Sequence, residues 1–135
     1  MRCFGAKIGD HSDVRGSARV WYPKNLIMGE GALIAGFVDC YNMAPIELED
    51  GSLVSQGAVL CAGTHNVDDP SFQLVTRPIT LGRDCWIASE AFVCPGVKIG
   101  PGAVLGARGV ASKDLRGWTI YAGNPARSVR DRLRP

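Results

Sequence analysis

The sequence predicts an all-β chain wound as a parallel β-helix of hexapeptide repeats. Three observations carry that expectation. Aliphatic anchors recur every six residues: Leu81, Ile87, Val93, Ile99, Leu105 and Ala111; Ile8, Val14, Val20, Leu26, Ala32 and Val38; and Leu48, Val54 and Leu60. Four places after an anchor the residue is usually small, as at Ser12, Ala18, Ser52, Ala58, Cys85, Ala91 and Ala103. Glycine often follows the anchor directly, as in Ile8-Gly9, Leu81-Gly82, Ile99-Gly100 and Leu105-Gly106. Neither the helical period nor simple alternation gives that spacing. A period of six belongs to a β-helix, in which each repeat makes one flat strand and one tight corner.

In chain order, the run from Ile8 forms the first coils and the run from Leu48 continues them. The anchors point into a narrow interior, and each rests on those above and below it. The pattern then breaks over "NVDDPSFQLVTRP", which is too polar and irregular for a prism wall. It should bulge as a loop over about 66–78 before the pattern resumes at Leu81. A sandwich of short strands with accidental spacing is the alternative, and the unbroken run of anchors with small partners speaks against it. The β-helix domain is expected over 1–123. A C-terminal helix or tail follows over 124–135: Asn124 can cap a short α-helix, Pro125 suits its first turn, and Val129 and Leu133 would face the prism. On that helix Arg127 and Arg130 share another face, a suitable pair for a phosphate.

The 135 residues suit one domain, and a net charge of +2 is too weak to indicate nucleic-acid binding. No run approaches the roughly 20 apolar residues of a membrane span, and the start lacks the apolar core of a signal peptide. Cys3, Cys40, Cys61, Cys85 and Cys94 are odd in number and irregularly spaced, as expected of free thiols in a reducing cytoplasm. A lone prism has flat apolar faces, which a homotrimer would bury.

The stretches "DCYNMAPIELEDGSLVSQGAVLCAGTHN" (39–66), "RPITLGRDCWIASEAFVCPGVKIGPGAVLGARGV" (77–110) and "IYAGNPARSVRDR" (120–132) resemble the hexapeptide-repeat acyltransferases. The chain is most similar to the colanic-acid-type O-acetyltransferases of polysaccharide synthesis, with galactoside, maltose and nodulation-factor acetyltransferases as cousins. The resemblance implies a left-handed coil. It also implies acetyl-CoA as co-substrate, no metal, a sugar or polysaccharide-precursor acceptor, and a cleft between subunits.

His65, at the break, is the general base by this resemblance. The chemistry suits it: a sugar hydroxyl must lose its proton as it attacks a thioester, and imidazole is basic yet unprotonated near neutrality. Many relatives read His-Asp where this chain reads His65-Asn66. The group that orients the ring is therefore open among Asp68, Asp69, a backbone carbonyl and Asp39. His11 reads as a surface corner residue. A zinc site from Cys61 and His65 would lack ligands, since the chain has only two histidines.

For the coenzyme, the resemblance places Ser89 near the thioester, with its backbone N–H facing the developing oxyanion. Ala107 matches a position that binds the pantetheine amide. Ser112 and Lys113 match a Thr-Lys pair near the nucleotide, and Arg127 and Arg130 match the arginines that hold phosphates. Trp86 would line the acceptor or pantetheine region, and Asp39 would help bind substrate. The rival readings are a non-catalytic β-helix scaffold and an acetyltransferase of a non-sugar small molecule. Serine acetyltransferases carry a helical N-terminal domain for which this sequence has no room.

Overall fold

Six-residue spacing becomes vertical stacking. In a computed structural model that describes residues 1–135, successive hexapeptides feed three parallel sheets in rotation. The first coil holds β1 (Lys7–Ile8), β2 (Asp13–Val14) and β3 (Arg19–Val20). The second holds β4 (Leu26–Met28), β5 (Leu33–Ile34) and β6 (Asp39–Tyr41), and the third β7 (Ile46–Leu48), β8 (Leu53–Val54) and β9 (Val59–Cys61). A hairpin of β10 (Gly63–His65) and β11 (Leu74–Thr76) interrupts the winding. Then β12 (Ile79–Leu81), β13 (Trp86–Ile87) and β14 (Phe92–Val93) make the fourth coil, and β15 (Lys98–Ile99), β16 (Val104–Leu105) and β17 (Val110–Ala111) the fifth. Last come β18 (Thr119–Ala122) and β19 (Arg127–Asp131). The first sheet is β1-β4-β7-β12-β15, the second β2-β5-β8-β13-β16-β18-β19, and the third β3-β6-β9-β14-β17.

Strand register lines the anchors into three interior columns. Ile8, Met28, Leu48, Leu81 and Ile99 form one; Val14, Ile34, Val54, Ile87, Leu105 and Tyr121 the second; Val20, Cys40, Leu60, Val93 and Ala111 the third. The run expected from Ile8 through Leu26, Ala32 and Val38 therefore slips by two residues in the second coil. The cause is a longer corner, in which Pro23–Asn25 form a 3-10 turn between β3 and β4. Ala32 and Val38 are instead buried at corners. Burial pushes the Cys40 and Cys85 thiols up to about 12.

Ten corners turn through one left-handed residue, three places after the anchor. Glycine fills that place at Gly31, Gly51, Gly57, Gly96 and Gly102, while His11, Phe37, Asp84, Glu90 and Arg108 hold it with φ near 59°. His11 is exposed there, as expected, 3.6 Å from Glu30.

The tail departs from expectation. No α-helix covers 124–135; Arg127–Asp131 is a strand, antiparallel to β18. The free edge of β18 offers a row of backbone groups that a strand satisfies, whereas so short a helix is marginal in water. Val129 and Leu133 are accordingly exposed rather than packed on the prism. The stretch read as a loop over 66–78 is in part regular too, since Leu74–Thr76 pairs with Gly63–His65.

Candidate active site

His65 ends β10, paired with Leu74 across the hairpin. The connecting turn is held by its own polar side chains. Asn66 Oδ1 accepts from Asp68 N, and Asp69 Oδ1 accepts from both Ser71 N and Ser71 Oγ. Those Ser71 bonds, the backbone one first, hold the Asp69 carboxyl below its usual range. The turn delivers Phe72 back over the histidine. His65 Nδ1 lies 2.9 Å from the Phe72 carbonyl oxygen, and the two rings stack at 4.3 Å and 15°. A carbonyl only accepts, so the proton sits on Nδ1, and a neutral ring carries its lone pair on Nε2. Of the orienting groups left open by the sequence, the backbone carbonyl makes the contact. Asp69 serves Ser71, and Asp39 Oδ1 accepts from Trp21 Nε1 at 2.8 Å.

The coenzyme candidates fall into two hollows. A cleft of about 600 Å³ on the outer face of the second sheet is lined by Trp86, Ser89, Ala107, Ile120, Arg130 and Leu133. Trp86 is pinned by its indole N–H to Ser55 Oγ at 2.8 Å. The backbone N–H groups of Ser89 and Ala107 have no acceptor within the chain, so both are available at the cleft's corner. A second hollow of about 320 Å³ gathers Ser112, Lys113, Tyr121 and Arg127. Arg127 and Arg130, expected on one helix face, are instead spread along an extended strand, opposite Ala122 and Ile120, and line different hollows.

Sequence reasoning missed Arg132. Its guanidinium donates to the carbonyls of Asp84 and Gly102 at 2.9 and 3.0 Å and lies over Trp118, holding β19 against the coils. Nor did it find Phe72 or Trp21, whose contacts exist only once the hairpin closes and the coils stack.

The corners differ in what they carry. Ser89 and Ala107 turn the chain from the second sheet to the third, whereas the hairpin, Ser112 and Lys113 follow strands of the third sheet. His65 and the Ser89–Ala107 corner are thus on different edges of one prism. No group of three His, Cys, Asp or Glu side chains is placed to hold a metal ion, and no helix is long and apolar enough to cross a membrane.

No protein-family profile matches the chain. It is 38% identical to WcaF of Escherichia coli, named for acetyl transfer in colanic acid biosynthesis, over 98% of this chain and 73% of that protein. It is 29% identical to the galactoside O-acetyltransferase of Escherichia coli, over 93% of this chain and 64% of that enzyme. The hexapeptide-repeat acetyltransferase VCA0836 of Vibrio cholerae, solved with acetyl coenzyme A, superposes with a TM-score of 0.93 at 25% identity, covering 98% of this chain and 74% of that one. The shared architecture is the left-handed β-helix.

Proposed function

The chain belongs to the hexapeptide-repeat acetyltransferases, and from that premise we propose that it transfers acetyl from acetyl-CoA to a hydroxyl of a sugar or polysaccharide precursor, with His65 as the base. The hydrogen bond from His65 Nδ1 to the Phe72 carbonyl carries this reading, because it leaves Nε2 to receive a proton. Nε2 takes the acceptor hydroxyl's proton as the oxygen attacks the thioester carbon. The carbon–sulfur bond then breaks, and the departing thiolate regains the proton as coenzyme A. Both substrates share one site, so no acyl-enzyme is needed, and positioning supplies much of the rate. The unpaired N–H groups of Ser89 and Ala107 suit the thioester oxygen and the pantetheine amide. Lys113, Ser112 and Arg127 suit phosphates.

One copy separates the base from these groups, so the reading includes a homotrimer in which one prism's hairpin meets its neighbour's cleft. Apolar residues on the outer faces support it: Leu33, Leu53 and Trp86 on the second sheet, Val59, Phe92 and Val110 on the third. The cytoplasm, which supplies acetyl-CoA and keeps five free thiols reduced, is the expected compartment.

Thiol release from acetyl-CoA against a panel of glycosides tests the reading. His65→Ala should lose about 100- to 10,000-fold in turnover while still binding coenzyme A. Equal turnover by wild type and His65→Ala would remove His65 from the mechanism.

A further inference from the structure

The third sheet carries a cluster outside both hollows. Trp21 is exposed, its ring edge-on to Tyr41 at 5.2 Å. Its indole N–H donates to Asp39 Oδ1, and the Arg19 guanidinium lies 5.4 Å from its ring centre. Arg19 and Asp39 face each other in register on neighbouring strands, yet they form no ion pair. The guanidinium therefore keeps its donors, and Asp39 keeps its second oxygen. The platform is built in advance. Buried Asn42 grips Tyr22 through both N and O, at 2.8 and 2.7 Å, and so fixes the segment that presents Trp21.

The cluster leads to His65. A Cβ on Gly63 would lie 2.7 Å from Tyr41 Cε2, so only glycine lets the Tyr41 ring pass against β10 at that point. Residues two apart on a strand project from the same face. His65 therefore leaves β10 on the side that Tyr41 touches, about 7 Å further along.

The geometry points to an acceptor platform: Trp21, Tyr41, Asp39 and Arg19 bind an uncharged hexopyranoside and hold one of its hydroxyls toward His65. The C–H face of the pyranose covers the indole, the free Asp39 oxygen accepts from a ring hydroxyl, and Arg19 donates to another. This rests on the reading of His65 as base and adds the acceptor's chemical class and seat.

The test uses the full chain with coenzyme A and saturation-transfer NMR on methyl glucoside, galactoside, mannoside and fucoside. Ring C–H protons of at least one glycoside should receive saturation with wild type and with His65→Ala, and should lose it with Trp21→Ala. With that glycoside as acceptor, Trp21→Ala and Asp39→Asn should raise its KM by about tenfold or more while the KM for acetyl-CoA holds. Trp21→Phe should recover part of the loss, and Asp39→Asn retains the indole contact, which guards against simple misfolding. Absence of saturation from every glycoside overturns the platform. So does a wild-type acceptor KM in folded Trp21→Ala, and acetyl transfer would then still stand. Binding at Trp21 without acetylation of any glycoside would instead keep the platform and remove the catalytic reading.

Discussion

Phe72 holds His65 twice: its carbonyl oxygen accepts from Nδ1–H at 2.9 Å, and its ring stacks on the imidazole at 4.3 Å. Phe72 itself adopts φ +50°, a left-handed conformation costly for a bulky residue. The turn that orders Asn66, Asp69 and Ser71 keeps it there. The histidine's plane and tautomer are thus set by a neighbour across the hairpin, with no carboxylate involved.

Removing the ring should therefore cost rate rather than coenzyme affinity. Phe72→Ala is expected to lower kcat by about tenfold with the KM for acetyl-CoA unchanged, because a base that is free to rotate loses its alignment. Steady-state kinetics on both substrates checks this. A change confined to the coenzyme KM would contradict it.

Lys113 and Arg127 share the smaller hollow, and Arg130 lies in the cleft. Lys113→Ala and Arg127→Ala should each weaken coenzyme A by about tenfold, by losing a charge-assisted phosphate contact. Dephospho-coenzyme A and pantetheine, measured by calorimetry, would show which cation meets which phosphate. Unchanged affinity in both variants would clear the hollow of that role.

Arg132→Ala removes two hydrogen bonds to backbone carbonyls and the cover over Trp118. A loss of about 1–3 kcal/mol is expected, with faster amide exchange along β19 ahead of the coils. Exchange that stays uniform across β18 and β19 would show that the guanidinium does not anchor the strand.

Alkaline unfolding should report the buried thiols. Burial raises Cys40 and Cys85 from an ordinary 9.0 to about 12. Between those values the unfolded chain ionises and the folded chain does not, so the unfolded state holds fewer protons. Stability is then full below about pH 9 and falls as pH rises toward 12. Urea midpoints across that window should decline, and Cys40→Ala should flatten the slope even if it lowers the starting stability. An identical slope in Cys40→Ala would show that this thiol is not the source.

The columns of Leu81, Ile87, Val93, Ile99, Leu105 and Ala111 were legible in the sequence because solenoid packing repeats with the chain, so spacing and position carry the same information. The break at His65 was legible for the same reason. The two-residue slip before Met28 was not, since Leu26 and Val38 are also apolar and satisfy the spacing. Arg127 to Leu133 misled because the residues that suit one side of a helix also suit an edge strand, and the unpaired backbone of β18 decides between them. Trp21 and Asp39 meet only because one coil stacks on the next, and no local pattern marks that contact.

The ends of the prism carry one more consequence. Leu115 bridges Ile99 and Ala126 N bonds to Val110 O, so the last strands of the first and third sheets are covered, while β19 crosses antiparallel over β18 to end the second. At the other end Arg2 reaches the carbonyls of Ile8 and Gly9, and the Asp13–Arg15 ion pair guards a strand of only two residues. Parallel coils are a template for fibres whenever such edges lie open. This chain blunts the edges on which a filament would grow, with very short first strands, charged side chains and a tail that crosses the last coil.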